Sequence, residues 1–226
     1  VKKFDLNKLR QILPANPGIL RKEEYFNSAV LIPLVEIIGE YHFLFEKRSE
    51  KIRQGGEICF PGGEHDAGND KSFKETAVRE TIEELGIKKE SIKIIGALDT
   101  LIGPMGVTVD SFIAEVKITN LNDLQIDKTE VEKVFTVPVS FFMENPPEIF
   151  HVRLEVHPSF IDEHGNKVEL LPVKELKLPD KYANPWGGRK RKVFVYKVNG
   201  EVIWGITAAL VYEVIEKIKI ITNEGK

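Results

Sequence analysis

Three carboxylates, Glu80, Glu83 and Glu84, follow Arg79 within the run Arg-Glu-Thr-Ile-Glu-Glu-Leu-Gly-Ile that ends at Ile87. On a helix advancing about 100° per residue they fall inside a roughly 100° arc, and Val78, Ile82 and Leu85 form an apolar stripe nearly opposite. Like charges three and four apart cost an isolated helix a few tenths of a kcal/mol per pair. Such a face is either plainly solvated or compensated, and a hard divalent cation such as Mg²⁺ is the natural partner of carboxylate oxygens. Glu80 and Glu84, at i and i+4, can reach one ion together, which leaves Glu83 as a third ligand or as a base positioning water.

The segments on either side would position this helix. Phe60-Pro61-Gly62-Gly63 makes a turn ahead of it, a short polar loop follows, and the helix then carries Arg-Glu-x-x-Glu-Glu-x-Gly up to Gly86. This order of parts resembles the signature of the Nudix hydrolases, G-x5-E-x7-R-E-U-x-E-E-x-G-U with U apolar. Arg79, Glu80, Glu83, Glu84, Gly86 and Ile87 match its second half, with Thr81 at one apolar position. The first half departs from the pattern. Gly63 lies two residues too far upstream, and Lys71 stands where the pattern has its first Glu. The resemblance implies an α/β/α sandwich with a mixed β-sheet, use of Mg²⁺ or Mn²⁺, Glu80 and Glu84 as metal ligands, and Arg79 holding the glutamates by charge pairing.

Upstream, the chain resembles the coenzyme A pyrophosphatases within that superfamily, whose extra pattern is roughly L-L-T-x-R-[SA]-x3-R-x3-G-x3-F-P-G-G. Leu44, Phe45, Arg48, Ser49, Arg53, Gly56, Phe60, Pro61, Gly62 and Gly63 supply it; Glu46 replaces the Thr, and Arg53 and Gly56 stand one residue too close. Arginine forks bind phosphate bidentately and glycines let a backbone approach a ligand. Arg48, Arg53, Gly62 and Gly63 are therefore the expected substrate-binding residues, although Arg48 and Arg53 could equally pair with Glu46, Glu50 or Glu57 on the surface. Stretches around Asp99–Gly106 and Ile203–Ala208 resemble the same subfamily. The implied substrate is coenzyme A or an acyl-CoA. Another nucleoside diphosphate derivative, such as ADP-ribose or NADH, is the alternative, and a nucleotide-sensing module without catalysis is a third reading.

Composition fits an ordinary water-soluble chain. The 226 residues carry a formal charge of −3, against a general nucleic-acid binder, and one cysteine excludes an internal disulfide. The sequence has no run long enough for a membrane span and no signal peptide, so a cytoplasmic location is expected. A start at Val1 in place of Met suggests processing or trimming. The chain reads as one domain over 1–226, with an N-terminal helical extension (about 1–28) and a C-terminal hairpin plus helix (about 193–221). The oligomeric state stays open, a homodimer among the options.

Local patterns predict the remaining elements. Asp5 caps a helix to Leu13, and Pro14–Gly18 is a linker. Ala29–Ile38 and Tyr41–Lys47 form a hairpin, with Pro33 at an edge or bulge. Cys59 reads as a small buried hydrophobe in a short strand. Ile92–Leu101, kinked at Gly96, and Val107–Val116 are strands around a loop. Glu130 reads as a solvated turn residue; the family resemblance alternatively puts it near the metal. Val134–Val137 is a strand, and Pro138 starts a helical turn. His151–His157 alternates, with Val152, Leu154 and Val156 on one face. Residues 158–192 read as polar loop, with Arg189-Lys-Arg-Lys192 a local positive patch or solvated turn. Asn199-Gly200 turns a hairpin, and a long amphipathic helix follows.

Overall fold

The computed structural model describes residues 4–104 and 106–223. Its frame is an eight-stranded mixed sheet. Strand β1 (Phe26–Ile37) and β2 (Glu40–Arg48) form a hairpin through Ile38 and Gly39, both at positive φ, the backbone that tight hairpin turns demand. The path runs β3-β2-β1-β7-β5, with β3 at Ile58–Cys59, β7 at Val107–Val116 and β5 at Ile92–Ala97. Strands β4 (Gly62–Glu64), β6 (Leu101–Gly103) and β8 (Val131–Pro138) pair β1, β7 and β2 respectively. The bend expected at Gly96 is a register shift between Ile94 and Gly96. Leu101 lies beyond it, in the separate strand β6.

Pro33 is not at an edge. It lies in β1, whose pairing with β7 is parallel and unbroken from Phe26 to Leu34. The Leu31 N–H donates to Pro61 O at 2.9 Å on the other side. Two residues on, the Pro33 nitrogen faces that same side, between β4, which stops at Val30, and β2, which starts at Leu34. A central strand tolerates proline here because no partner there awaits its missing N–H.

Alternation along β2 sorts the two cores. Phe43 and Phe45 pack with Phe60, Phe142, Ile203 and Val211 on one face. Leu44 joins Ala29, Leu31, Ala77 and Leu85 on the other. The second face carries α2 (Phe73–Leu85), and the first carries α3 (Val139–Glu144) and α4 (Gly205–Asn223), which gives the expected α/β/α sandwich. The N-terminal helix α1 (Leu6–Ile12) is capped by Asp5 as expected and buries no residue.

A second sheet stands apart: β9 (Glu148–Val156), β12 (Trp186–Val198) and β13 (Glu201–Trp204), in the order β13-β12-β9. Asn199 and Gly200, both at positive φ, turn its hairpin. Residues 158–192 are more ordered than their composition suggests. They form a small hairpin, β10 (Ser159–Ile161) with β11 (Lys167–Glu169), and then enter β12 at Trp186. The basic run Arg189–Lys192 is strand paired with β9, not loop.

Candidate active site

Helix α2 is closed at both ends by side chain and backbone. Ser72 caps its start, accepting from the Glu75 N–H at 3.3 Å, and Gly86 ends it at φ 65°. A Cβ on Gly86 would lie 2.7 Å from Gln125 Cβ, so both conformation and space demand glycine. Thr81 occupies its apolar position fully buried, donating its hydroxyl to Ala77 O at 2.6 Å. The polar atom is satisfied within the helix.

The carboxylate face is not a solvated one. Glu84 is 3% exposed and points into the sheet, whereas Glu83 faces solvent. Gly62 and Gly63 of β4 lie directly over these side chains. The Gly62 N–H donates to Glu84 Oε2 at 2.9 Å, and a Cβ on Gly63 would lie 2.8 Å from Glu80 Oε2. The glycines permit contact between backbone and carboxylate.

Arg79 is the hub of the ion pairs. It bridges Glu80 Oε1 and Glu83 Oε2, each at 2.9 Å, and forks onto Asp70 through Nε at 3.0 Å and Nη2 at 2.9 Å. Asp70 is buried and also accepts from Thr76 Oγ1 at 3.0 Å. The Arg79 fork holds the Asp70 carboxyl down at about 2, and Asp70 in turn raises the guanidinium. Lys71 has no such role; Asp70, one residue earlier, supplies the carboxylate to Arg79.

Glu46 is the functional group that motif matching passed over. It is 1% exposed on the α2 face of β2, paired across from Cys59, whose thiol donates to Oε1 at 3.1 Å. Its Oε2 has no hydrogen-bond partner among the described residues. Burial raises the Glu46 carboxyl first, with Glu130 and Glu80 adding to it against the opposing Cys59 hydrogen bond and Arg48 charge. Burial, then repulsion from Glu46, raises Glu84 well above the usual carboxylate range. Glu80 is raised by burial against the opposing Arg79 charge. Cys59 is raised by burial and by Glu46, which keeps it a neutral thiol rather than a nucleophile. The one signal in the sequence was that Glu46 broke a pattern.

Arg48 and Arg53 make no ion pair among the described residues, with Glu50 and Glu57 or otherwise. The Arg48 charge acts on both Glu46 and Glu84, and its Nε donates to Arg53 O at 3.3 Å. Arg53 is exposed and lies 5.6 Å from the Phe26 ring centroid. Glu130 is exposed as expected, yet its charge raises both Glu46 and Glu80, and its carbonyl accepts from the Ser49 N–H at 2.7 Å.

As they stand, no three His, Cys, Asp or Glu side chains among the described residues form a group that could hold a metal ion. Glu80 is turned onto Arg79. The chemistry of the donor set nevertheless fits a hard cation: desolvated carboxylates of Glu84 and Glu80 beside an unpartnered buried oxygen of Glu46 form a concentration of negative charge that only a cation or protons can relieve.

A helix carrying Arg-Glu-x-x-Glu-Glu against a mixed sheet, under a Gly-Gly strand, defines a Nudix-type α/β/α sandwich. The NUDIX domain model matches residues 26–190, and the chain belongs to that family. It is similar to Nudix hydrolase 3 of Caenorhabditis elegans, with 42% identity over 120 residues, 50% of this chain and 48% of that one. The mitochondrial coenzyme A diphosphatase NUDT8 of Homo sapiens is 32% identical over 120 residues, covering 52% and 50%. The chain thus spans about half the length of these relatives. Nudix hydrolase NudL of Photorhabdus laumondii is 25% identical over 216 residues, covering 95% and 96%. Among solved structures, a C. elegans Ap4A hydrolase binary complex has 24% identity and a TM-score of 0.43, over 52% of this chain and 83% of that one. Among the described residues no helix is long and apolar enough to cross a membrane.

Proposed function

We propose that the protein hydrolyses the diphosphate linkage of a nucleoside diphosphate derivative, and that its substrate is coenzyme A or an acyl-CoA. The observation that carries the reaction is the pairing of buried Glu84 with half-buried Glu80 beneath Gly62 and Gly63, beside the unpartnered Glu46 oxygen. Glu80 and Glu84 would hold Mg²⁺ or Mn²⁺, which supplies neutralisation of developing phosphate charge and polarises the phosphoryl oxygen. Glu83, exposed on the same helix, would orient a water and take its proton. Arg79 keeps Glu80 and Glu83 in place from its anchorage on Asp70. Arg48 and Arg53, without carboxylate partners among the described residues, are available to the substrate's phosphates. Attack of water on the linkage gives 4′-phosphopantetheine and adenosine 3′,5′-bisphosphate.

The coenzyme A assignment is supported by the Arg48–Gly63 segment and by similarity to proteins named as coenzyme A diphosphatases. Turnover of coenzyme A, ADP-ribose, NADH and dinucleoside polyphosphates, compared with Mg²⁺ or Mn²⁺ present, tests it. A clear excess for coenzyme A is expected. Preference for ADP-ribose or NADH would move the substrate while keeping the reaction, and binding without turnover of any of them would make the protein a sensing module.

A further inference from the structure

Strand β9 is a nine-residue edge strand with nothing against it. Its pairing with β12 occupies one side only, and β13 covers β12 only over Val195–Val198. Opposite nearly all of β9 the sheet is therefore two strands wide. All nine residues of β9 are exposed, including Ile149, Phe150, Val152, Leu154 and Val156 at 38–52%. A two-stranded ribbon is marginal in water by itself, and a long apolar edge is a template for another strand.

We propose that this edge pairs with β9 of a second copy of the chain, antiparallel about a twofold axis through Val152, giving one six-stranded sheet across a homodimer. In that register the apolar residues at the centre of Glu148–Val156 meet one another, while Ile149 and Val156 toward the ends meet Glu155 and Glu148. Val152 faces its own counterpart, Phe150 faces Leu154 of the partner subunit, and aromatic and aliphatic cross-strand pairs of this kind are favourable. Centring on Arg153 would set two arginines opposite each other, and a centre between the two residues would set Val152 against Arg153, Phe150 against Glu155 and Leu154 against His151. The Arg153 pair thus disfavours the neighbouring register. The five apolar side chains of β9 offer on the order of 400–500 Å² per chain, taken at about 80–100 Å² each. With the backbone edge and the polar face of β9, the total passes the roughly 1,000 Å² of a specific interface. The free N–H and C=O groups of the edge point to a strand as occupant rather than a helix or a small ligand.

Sedimentation velocity at about 50 μM, a concentration that populates a dimer of micromolar Kd, should give twice the 25.7 kDa chain mass. Val152→Lys should give the monomer, with unchanged circular dichroism and turnover, since β9 contributes nothing to the candidate active site. Val152→Cys should form a self-linked disulfide dimer on mild oxidation, because directly opposed residues lie about 4.5–5.5 Å apart at Cα, inside the range for a disulfide. Arg153→Cys should not self-link, because its counterpart lies diagonally across. A monomeric wild type overturns the proposal, as does a dimer that survives Val152→Lys, or efficient self-linking by Arg153→Cys in place of Val152→Cys.

Discussion

Adding one methyl group to either glycine of the Gly62-Gly63 pair should have opposite consequences. At Gly63 the new Cβ meets only the carboxylate end of Glu80, including Oε2 at 2.8 Å. That end can swing, but it needs roughly 1 Å to reach ordinary contact, and about 1 Å of misplacement at a reacting centre costs on the order of 100-fold in rate. This is about 2.7 kcal/mol of transition-state stabilisation. Gly63 lacks a positive φ, so alanine fits its backbone, and removing glycine from the unfolded chain returns about 0.4–1 kcal/mol against the crowding. Gly63→Ala should therefore melt within a few degrees of wild type while losing about 100-fold in kcat. At Gly62 the Cβ instead meets the backbone of β1, with Val30 Cα at 2.7 Å and Ala29 O nearer still. No side chain can swing away there, so Gly62→Ala should lose on the order of 2–3 kcal/mol or fail to fold. Thermal melts and coenzyme A turnover on both variants measure the contrast. A Gly63→Ala enzyme with turnover within threefold of wild type would refute the placement of Glu80 at the reacting centre.

Four further expectations concern charge. Glu84→Gln should reduce turnover by orders of magnitude and leave the melting temperature equal or higher, because the amide needs no proton to be buried whereas the raised carboxyl does; near-normal turnover would refute Glu84 as a metal ligand. Asp70→Asn should cost about 2 kcal/mol at pH 7, the worth of holding an aspartate from 3.8 down to about 2. A depressed carboxyl stabilises above its unfolded pKa and loses that contribution as pH falls through the folded one, so the difference between Asp70→Asn and wild type should shrink in urea melts from about pH 4 toward 2. Glu84 carries the opposite sign: its raised carboxyl keeps a proton in the folded state that the unfolded chain has released. Metal-free protein should lose stability as pH rises above about 4.5, the ordinary glutamate range. Because a ligand carboxyl must lose its proton first, Mn²⁺ binding should strengthen with pH, and Glu46→Gln should move that rise to lower pH by removing the repulsion on Glu84. An unmoved binding curve would show that the two carboxylates do not interact.

Local chemistry announced much of this molecule. The helix carrying Glu80, Glu83 and Glu84, the turns at Gly39 and Asn199-Gly200 and the strand Val107–Val116 lie where their patterns put them. What escaped the sequence is set by partners far along the chain. Pro33 looked like an edge residue because the gap between β4 and β2 exists only once both are docked on β1. The part of β12 from Trp186 to Val195, rich in glycine and charge, is held in extended form by β9, whose residues lie 30 or more positions earlier. Glu46 and Asp70 were illegible for the same reason. One is a glutamate in an apolar strand, meaningful only beneath Glu84; the other lies one position from where the motif expects its acid, and Arg79 reaches it all the same.

The parallel ladder between β1 and β7 also bears on how the protein reaches this state. It joins Phe26 to Val107 and Leu34 to Glu115, so roughly 80 residues must be looped before the first of its hydrogen bonds forms. Glu46, Gly62, Gly63, Glu80 and Glu84 all lie inside that loop. The β1–β2 hairpin, β4 and α2 can assemble from contacts within residues 26–85, whereas β7 joins β1 only when the loop closes. Folding should be slow relative to a helical protein of this size, because the sheet that carries the site is completed only by this long-range ladder.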